Sequence, residues 1–422
     1  MSTITTQLAI VGAGPAGLCA AIAAKEQDPD CEVLVLDRMP RAGNKIYATG
    51  NGRCNLTNLH QTPDCYHSDS AKDPFSYLGG IGAREVFSFV EGLGVRLYDR
   101  DGYVYPKTNQ ASSVALPLVH RAEDCGAKIQ TGVRVTGIRR EGRGFCLLAR
   151  EEKKGGESLE IHALSLLLSC GGMVSRAFGD AGDGAKLAAS LGHQIIPLLP
   201  ALTYLATSAP GMKVLAGVRA NGACALYADG KPVGKSEGEI QFTEGALSGI
   251  PFFQLSHAAG RALAAGKKLE ASVCFLPDEK KTPEELLLER LALVPANRTA
   301  ADLLLGLVSS KAASFLLRGH GIADEKKLRG LTGKDLLPVF AGLFDCRFPV
   351  TGLGPAEHAQ VSAGGVDLRE VDVKTLASKR VPGLYFAGEI LDLDGICGGY
   401  NLTFAFSSGL RAGRAAAQFL RK

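Results

Sequence analysis

The stretch QLAIVGAGPAG, residues 7–17, constrains the fold more than any other part of the chain. Residues 7–13 are a short apolar run that ends at glycine, the pattern of a buried parallel strand. Gly12, Gly14 and Gly17 stand in GxGxxG spacing, and Pro15 sits where a helix can begin without an N–H. The helix expected next, AGLCAAIAAKEQ, has small residues on the face that must lie close to a sheet. Residues 31–38, CEVLVLDR, then read as a second strand ending in Asp37. Strand, tight turn, helix, strand and acid together form a dinucleotide fingerprint. Gly12 allows the turn, Gly14 lets backbone approach a pyrophosphate, and Gly17 permits close helix–strand packing. The helix N-terminus offers N–H donors to phosphate, and Asp37 can accept from ribose hydroxyls.

The fingerprint does not choose between nicotinamide and flavin dinucleotides. The far end of the chain does. Residues 383–389, GLYFAGE, read as a strand running into Gly388 and Glu389; a Gly-rich loop, DLDGICGGYN, leads into a final helix, LTFAFSSGLRAGRAAAQFL. This pattern resembles the second FAD contact of the glutathione-reductase-like fold. The resemblance implies that the acid meets the ribityl chain and that the helix N-terminus stabilises negative charge on reduced flavin. Asn401 is expected at the N-cap of that helix. A third segment, ALSLLLSCGG (163–172), reads as an apolar strand ending in Gly171 and Gly172, and short strands around 128–162 form the meander usual in such folds.

Residues 43–58 (GNKIYATGNGRCNLTN), 352–367 (GLGPAEHAQVSAGGVD), 383–409 and 242–256 (FTEGALSGIPFFQLS) together resemble one bacterial flavoprotein family. It includes aminoacetone-oxidase-like FAD-binding enzymes and bile-acid-inducible dehydro-bile-acid reductases. The resemblance covers nearly the whole chain. Two departures stand out: Glu244 replaces the histidine many members carry, and Ile250-Pro251 replaces the usual Gly-Pro-Ala neighbourhood. If that segment lines a substrate pocket, substrate choice differs here.

The expected architecture is α/β: a Rossmann-type, glutathione-reductase-like FAD-binding domain with an inserted β-barrel-like domain and a small helical domain. The divisions are 1–195 for the first part of the FAD domain, 196–275 for the barrel, and 276–340 for the helices. Residues 341–351 form a return strand to the barrel, and 352–422 complete the FAD domain. Alternating strands with Gly-rich turns mark the barrel. A capping box, Thr282-Pro283-Glu284-Glu285, opens a Leu-rich helix that Pro295 ends. A second helix is expected from Thr299 to Gly319, with Leu303, Leu304, Leu307 and Phe315 in the core. An insert beside a flavin domain makes a cleft suited to substrate.

The cofactor-binding set expected from these motifs is Gly12, Gly14, Pro15, Ala16, Gly17, Asp37, Arg38, Lys45, Gly52, Arg53, Cys54, Asn55, Val135, Gly171, Gly388, Glu389, Gly399, Asn401 and Leu402. In the GNGRCNLTN loop, Gly50 and Gly52 allow backbone to pass a flat ring, and Asn55 offers neutral hydrogen bonds to its edge. Arg53 can counter negative charge, with Lys45 as a second cation. Arg53 and His358 are the catalytic candidates. Cys54 reads better as an inert small residue than as a nucleophile.

Composition narrows the functional classes. With 46% hydrophobic and 21% charged residues the chain is globular rather than disordered. A net charge of +4 gives no electrostatic footprint for nucleic acid or anionic membrane. The longest apolar stretch, from Leu8 to Ala24, is punctuated by Gly12, Gly14, Pro15 and Gly17, unlike a membrane span. Eleven cysteines without CxxC suggest neither a disulfide framework nor a metal site, and with no basic leader a reduced, cytoplasmic location is expected. Oligomeric state is open.

These readings converge on an oxidoreductase with non-covalent FAD and a small-molecule substrate. One version reduces an activated C=C bond with hydride from NAD(P)H, binding nicotinamide transiently, since no second GxGxxG exists. The other oxidises an amine and passes electrons to oxygen; without Trp there is no aromatic amine cage of the usual kind. RNA modification and a non-catalytic flavin-binding role are the remaining classes.

Overall fold

In the computed structural model, which describes residues 2–153, 155–174, 177, 179 and 181–421, the chain forms two compact units. One comprises residues 1–199 with 356–422, the other residues 200–355.

The first unit is built on a parallel sheet in the order Lys128–Thr131, Val33–Asp37, Ser2–Val11, Ser158–Leu168. Ser158–Leu168 does two jobs, and its burial shows why. Its first half alternates between covered and open positions, while its last four residues are all buried. Alternation suits an antiparallel pair with one wet face; continuous burial suits a parallel strand covered on both faces. Accordingly Ser158–Ala163 pairs antiparallel with the strand Gly144–Glu151 of the meander, and Leu166–Leu168 pairs parallel with Leu384–Phe386.

The first helix, Pro15–Gln27, begins directly after the first strand with Gly14 as its N-cap. It packs along the final helix, Tyr400–Leu420. Contact there is backbone-close: a Cβ on Gly409 would lie 2.2 Å from the Ala16 carbonyl oxygen, and one on Gly413 2.1 Å from that of Ala20. The small residues of both helices are therefore a packing requirement. The final helix is capped by Gly399, with Asn401 one turn-position inside it. That corrects the expected N-cap: Gly399 has φ +98° and a Cβ there would sit 2.7 Å from the Thr57 carbonyl carbon, so only glycine fits.

The second unit is a closed barrel. Its strands run Leu205–Thr207, Ala246–Gly249, Lys231–Thr243, Arg219–Ala228, Leu269–Cys274 and Cys346–Leu353, the last pairing back to the first. Its helices share the barrel's apolar core, where Leu303, Leu316 and Phe340 join Phe242 and Phe348. The Thr282 box caps the helix Pro283–Leu293 as expected. The helix expected from Thr299 to Gly319 is two, Ala300–Leu304 and Ser310–Gly319. Gly306, at φ +80°, makes the break, and Ser309 caps the second piece through the Ala312 amide. No helix among the described residues is long and apolar enough to cross a membrane.

Candidate functional site

The three glycines of the fingerprint do different things. A Cβ on Gly12 would lie 2.4 Å from the Ser169 carbonyl oxygen, and one on Gly17 1.8 Å from that of Gly12. A Cβ on Gly14 would meet no protein atom within 4 Å. Gly12 and Gly17 are thus demanded by the fold, whereas Gly14 faces open space at the mouth of a groove in the first unit. That groove runs past the N-terminus of the first helix, where the first amides lack intrahelical partners.

At one end of the groove stands Asp37. Its carboxylate accepts from the Ala13 amide at 2.6 Å and from the Met39 amide at 2.8 Å. Burial pushes its pKa up, and those two N–H groups and Arg38 pull the other way. A carboxylate has about four acceptor positions, so two hydroxyls can still be received. Arg38 and Arg134 converge on Asp183, at 3.3 and 2.9 Å, and Val133, Val135 and Leu187 supply apolar wall. Apolar-walled and edged by paired charge, this end suits a nucleoside.

Toward the other end the groove meets Lys45 and Glu389, joined at 2.5 Å. The second Glu389 oxygen accepts from the Ser362 amide at 2.8 Å. Beyond them lie Leu393 and the start of the final helix with Asn401, Leu402 and Phe404. The Asn401 amide grips one residue twice: its Oδ1 accepts from the Gly395 N–H at 2.8 Å and its Nδ2 donates to the Gly395 carbonyl at 2.7 Å.

Gly12, Gly14, Pro15, Ala16, Asp37, Arg38, Lys45, Val135, Gly171, Gly388, Glu389, Asn401 and Leu402 thus share one groove. Gly17 and Gly399 act instead on the packing around it. From the polar loop the groove receives Asn44, Lys45, Ile46 and Thr49, while Gly52, Arg53, Cys54 and Asn55 lie outside its lining. Arg53 is exposed, and so is His358, two residues before Gln360 in the groove wall. Asn55 Oδ1 is buried with no hydrogen-bond partner among the described residues. Sequence reasoning did not single out Thr49, Gln360, Leu393 and Phe404 within the family-like segments, and it missed Arg134 and Asp183, which lie in none of them.

Cys54 is fully buried in a left-handed turn at φ +58°. Burial pushes its thiol up to about 12, against a smaller pull from Thr49. At pH 8 it is protonated and covered, so mass spectrometry should find it unalkylated after iodoacetamide treatment of the folded protein, and alkylated after denaturation. Rapid labelling in the folded state would show the loop to be open.

The sequence profile described as the HI0933-like protein Rossmann domain matches residues 6–415. The chain belongs to the HI0933-like family. It is 35% identical over 413 residues to the 3-dehydro-bile acid delta(4,6)-reductase of Clostridium scindens, covering 98% of this chain and 99% of that one. It is 28% identical over 403 residues to the ribosomal RNA dihydrouridine synthase of Escherichia coli, covering 94% and 95%. Among solved structures, a quinol–fumarate reductase with menaquinol molecules superposes with a TM-score of 0.52 at 17% identity, over 100% of this chain and 72% of that one. That last likeness concerns the fold.

As an HI0933-like protein the chain is an FAD-dependent oxidoreductase. The groove fits that cofactor on its own evidence. It offers open space in front of Gly14 beside free helix amides, a half-buried acid at one end, and a fixed cation–carboxylate pair toward the other.

Proposed function

We propose that this protein reduces an activated C=C bond of an organic substrate, using hydride that originates from NAD(P)H. The observation that carries this reading is 35% identity, end to end, with a relative named as a reductase of a 3-dehydro bile acid. FAD, when bound, supplies two-electron transfer between nicotinamide and substrate through N5. The chain's part is placement and electrostatics. Gly14 and the first-helix amides would take the pyrophosphate, Asp37 the adenosine ribose, and Glu389 the ribityl chain. Lys45, fixed by Glu389, would bring positive charge toward the ring. The N-terminus of the final helix, clamped through Asn401, would favour the reduced, anionic state.

The test is an anaerobic one. NADH or NADPH should bleach the flavin, and a steroid enone or dienone should restore its colour. Bleaching by amines, with peroxide released in air, would overturn the reading in favour of an amine oxidase. A second reading, reduction of uridine in ribosomal RNA, draws support from the Escherichia coli relative at 28% identity. Against it stand the lower identity and a net charge of +4 spread through both signs. Reoxidation of the reduced enzyme by rRNA and not by enones would favour it.

A further inference from the structure

We propose that one face of the meander is a metal site, at which Cys146, His162 and Glu141 together hold a single zinc ion. None of the three lines the groove, so the site stands whichever substrate the enzyme reduces.

Strand register makes the cluster. The meander consists of Val133–Glu141, Gly144–Glu151 and Ser158–Leu168. Cys146, on the middle strand, pairs with His162 on one side and with Arg139 on the other. Directly paired residues share a face of the sheet, and so do residues two apart along a strand. Glu160 and Glu141 therefore join the other three. The donors come from three strands at irregular spacing, so no Cys/His motif announces them.

One donor atom from each of Glu141, Cys146 and His162 lies within 4.8 Å of the other two. Around a tetrahedral zinc ion, with Zn–S about 2.3 Å and Zn–N or Zn–O about 2.0–2.2 Å, donors stand about 3.4–3.6 Å apart. Small side-chain rotations close that difference. His162 Nδ1 is already 2.6 Å from Glu141 Oε2, and its Nε2 faces Glu160 Oε1 at 3.5 Å. With Nδ1 on the metal, the Nε2–H points at a carboxylate, the arrangement that orients a metal-bound imidazole. Cys146 is fully buried, and its S–H donates to Glu160 Oε1 at 3.1 Å. Water takes the fourth position.

Thiolate, imidazole and carboxylate form a borderline-soft set, suited to zinc and not to magnesium or calcium, which take oxygen donors. Burial and the Glu160 hydrogen bond push the Cys146 thiol up to about 11, with Arg139 pulling the other way. Binding therefore exchanges the thiol proton, released to solvent, for the ion. Arg139 donates to Glu160 at 3.0 Å and stands 3.8 Å from Glu141. It is 55% exposed, so its long stem can carry the guanidinium into solvent as the ion takes its place beside the carboxylates. The ion ties together three strands, the first of which brings Val133 and Val135 to the groove wall.

The experiment titrates FAD-loaded, chelator-treated protein with Co2+ and follows visible absorption to the red of oxidised flavin. One ion per chain should bind, with the intense d–d bands of a four-coordinate ion, and Zn2+ should displace it. Cys146→Ser, His162→Gln and Glu141→Gln should each weaken Co2+ binding by more than about 100-fold, beyond what a change outside the ligand set does. His162 and Glu141 are partly exposed, so their variants should keep wild-type FAD content even if Cys146→Ser folds poorly. Cys125→Ser, on another element, should bind as the wild type does. Weak, six-coordinate spectra in the wild type would mean that carboxylates alone hold the ion and would overturn the proposal. So would wild-type affinity in His162→Gln and Glu141→Gln, or no binding at all.

Discussion

Gly14→Val is expected to fold as the wild-type apoprotein does and to purify without flavin. A side chain at this position meets no protein atom within 4 Å, and Gly14 has φ −75° and ψ −176°, a conformation open to any residue. The protein itself therefore has no use for glycine here. A bulky side chain would stand where the pyrophosphate must approach the helix amides. FAD affinity should fall by at least about 100-fold, equivalent to about 2.8 kcal/mol, measured by titrating apoprotein with FAD. The melting temperature should match that of wild-type apoprotein, since only the stabilisation contributed by ligand is lost. Gly17→Val makes the contrast. Its Cβ would lie 1.8 Å from the Gly12 carbonyl oxygen, so it should fail to fold whether or not FAD is supplied. Unchanged FAD affinity in a folded Gly14→Val protein would mean that the groove does not carry the cofactor's phosphates.

Such differences explain how far the sequence could be read. The first strand, the turn and the first helix were legible because a few glycines and one acid impose their demands locally. The strand Lys231–Thr243 was not, because its first nine residues, KPVGKSEGE, are polar and mostly exposed and carry no apolar alternation. Only pairing with Arg219–Ala228 on one side and Ala246–Gly249 on the other makes it part of a barrel. The break at Gly306 was hidden by leucines that continue at helical spacing across it. In the site, residues tied to a backbone motif could be named, whereas the meeting of Arg38, Arg134 and Asp183 joins three segments far apart in sequence. Arg53 was singled out for a Gly-flanked polar loop, and that loop turns its preceding segment, through Lys45 and Thr49, to the groove.

Gly413→Ala should be among the most destabilising single-methyl changes in the chain. In an exposed helix, Gly→Ala stabilises by about 1 kcal/mol. Gly413 reverses that sign because it is where the final helix touches the first: its Cβ would lie 2.1 Å from the Ala20 carbonyl oxygen and 2.7 Å from the Ala20 Cα. The obstacle is helix backbone, which cannot rotate aside as a side chain can, so the helices must separate. Overpacking of this kind costs about 1–3 kcal/mol and sometimes more; with rigid backbone on the receiving side, about 3 kcal/mol or above is expected. For a unit of this size that lowers the melting temperature by about 6 to 12 °C. Gly409→Ala, with its Cβ 2.2 Å from the Ala16 carbonyl oxygen, should behave alike and also weaken FAD retention, because Ala16 lines the groove. Gln418→Ala, exposed on the same helix, should change stability by no more than about 0.5 kcal/mol. Thermal unfolding of the apoproteins separates these cases. If Gly413→Ala melts with the wild type, the two helices are not in backbone contact, and the close packing that sets the first-helix amides toward the cofactor must come from elsewhere.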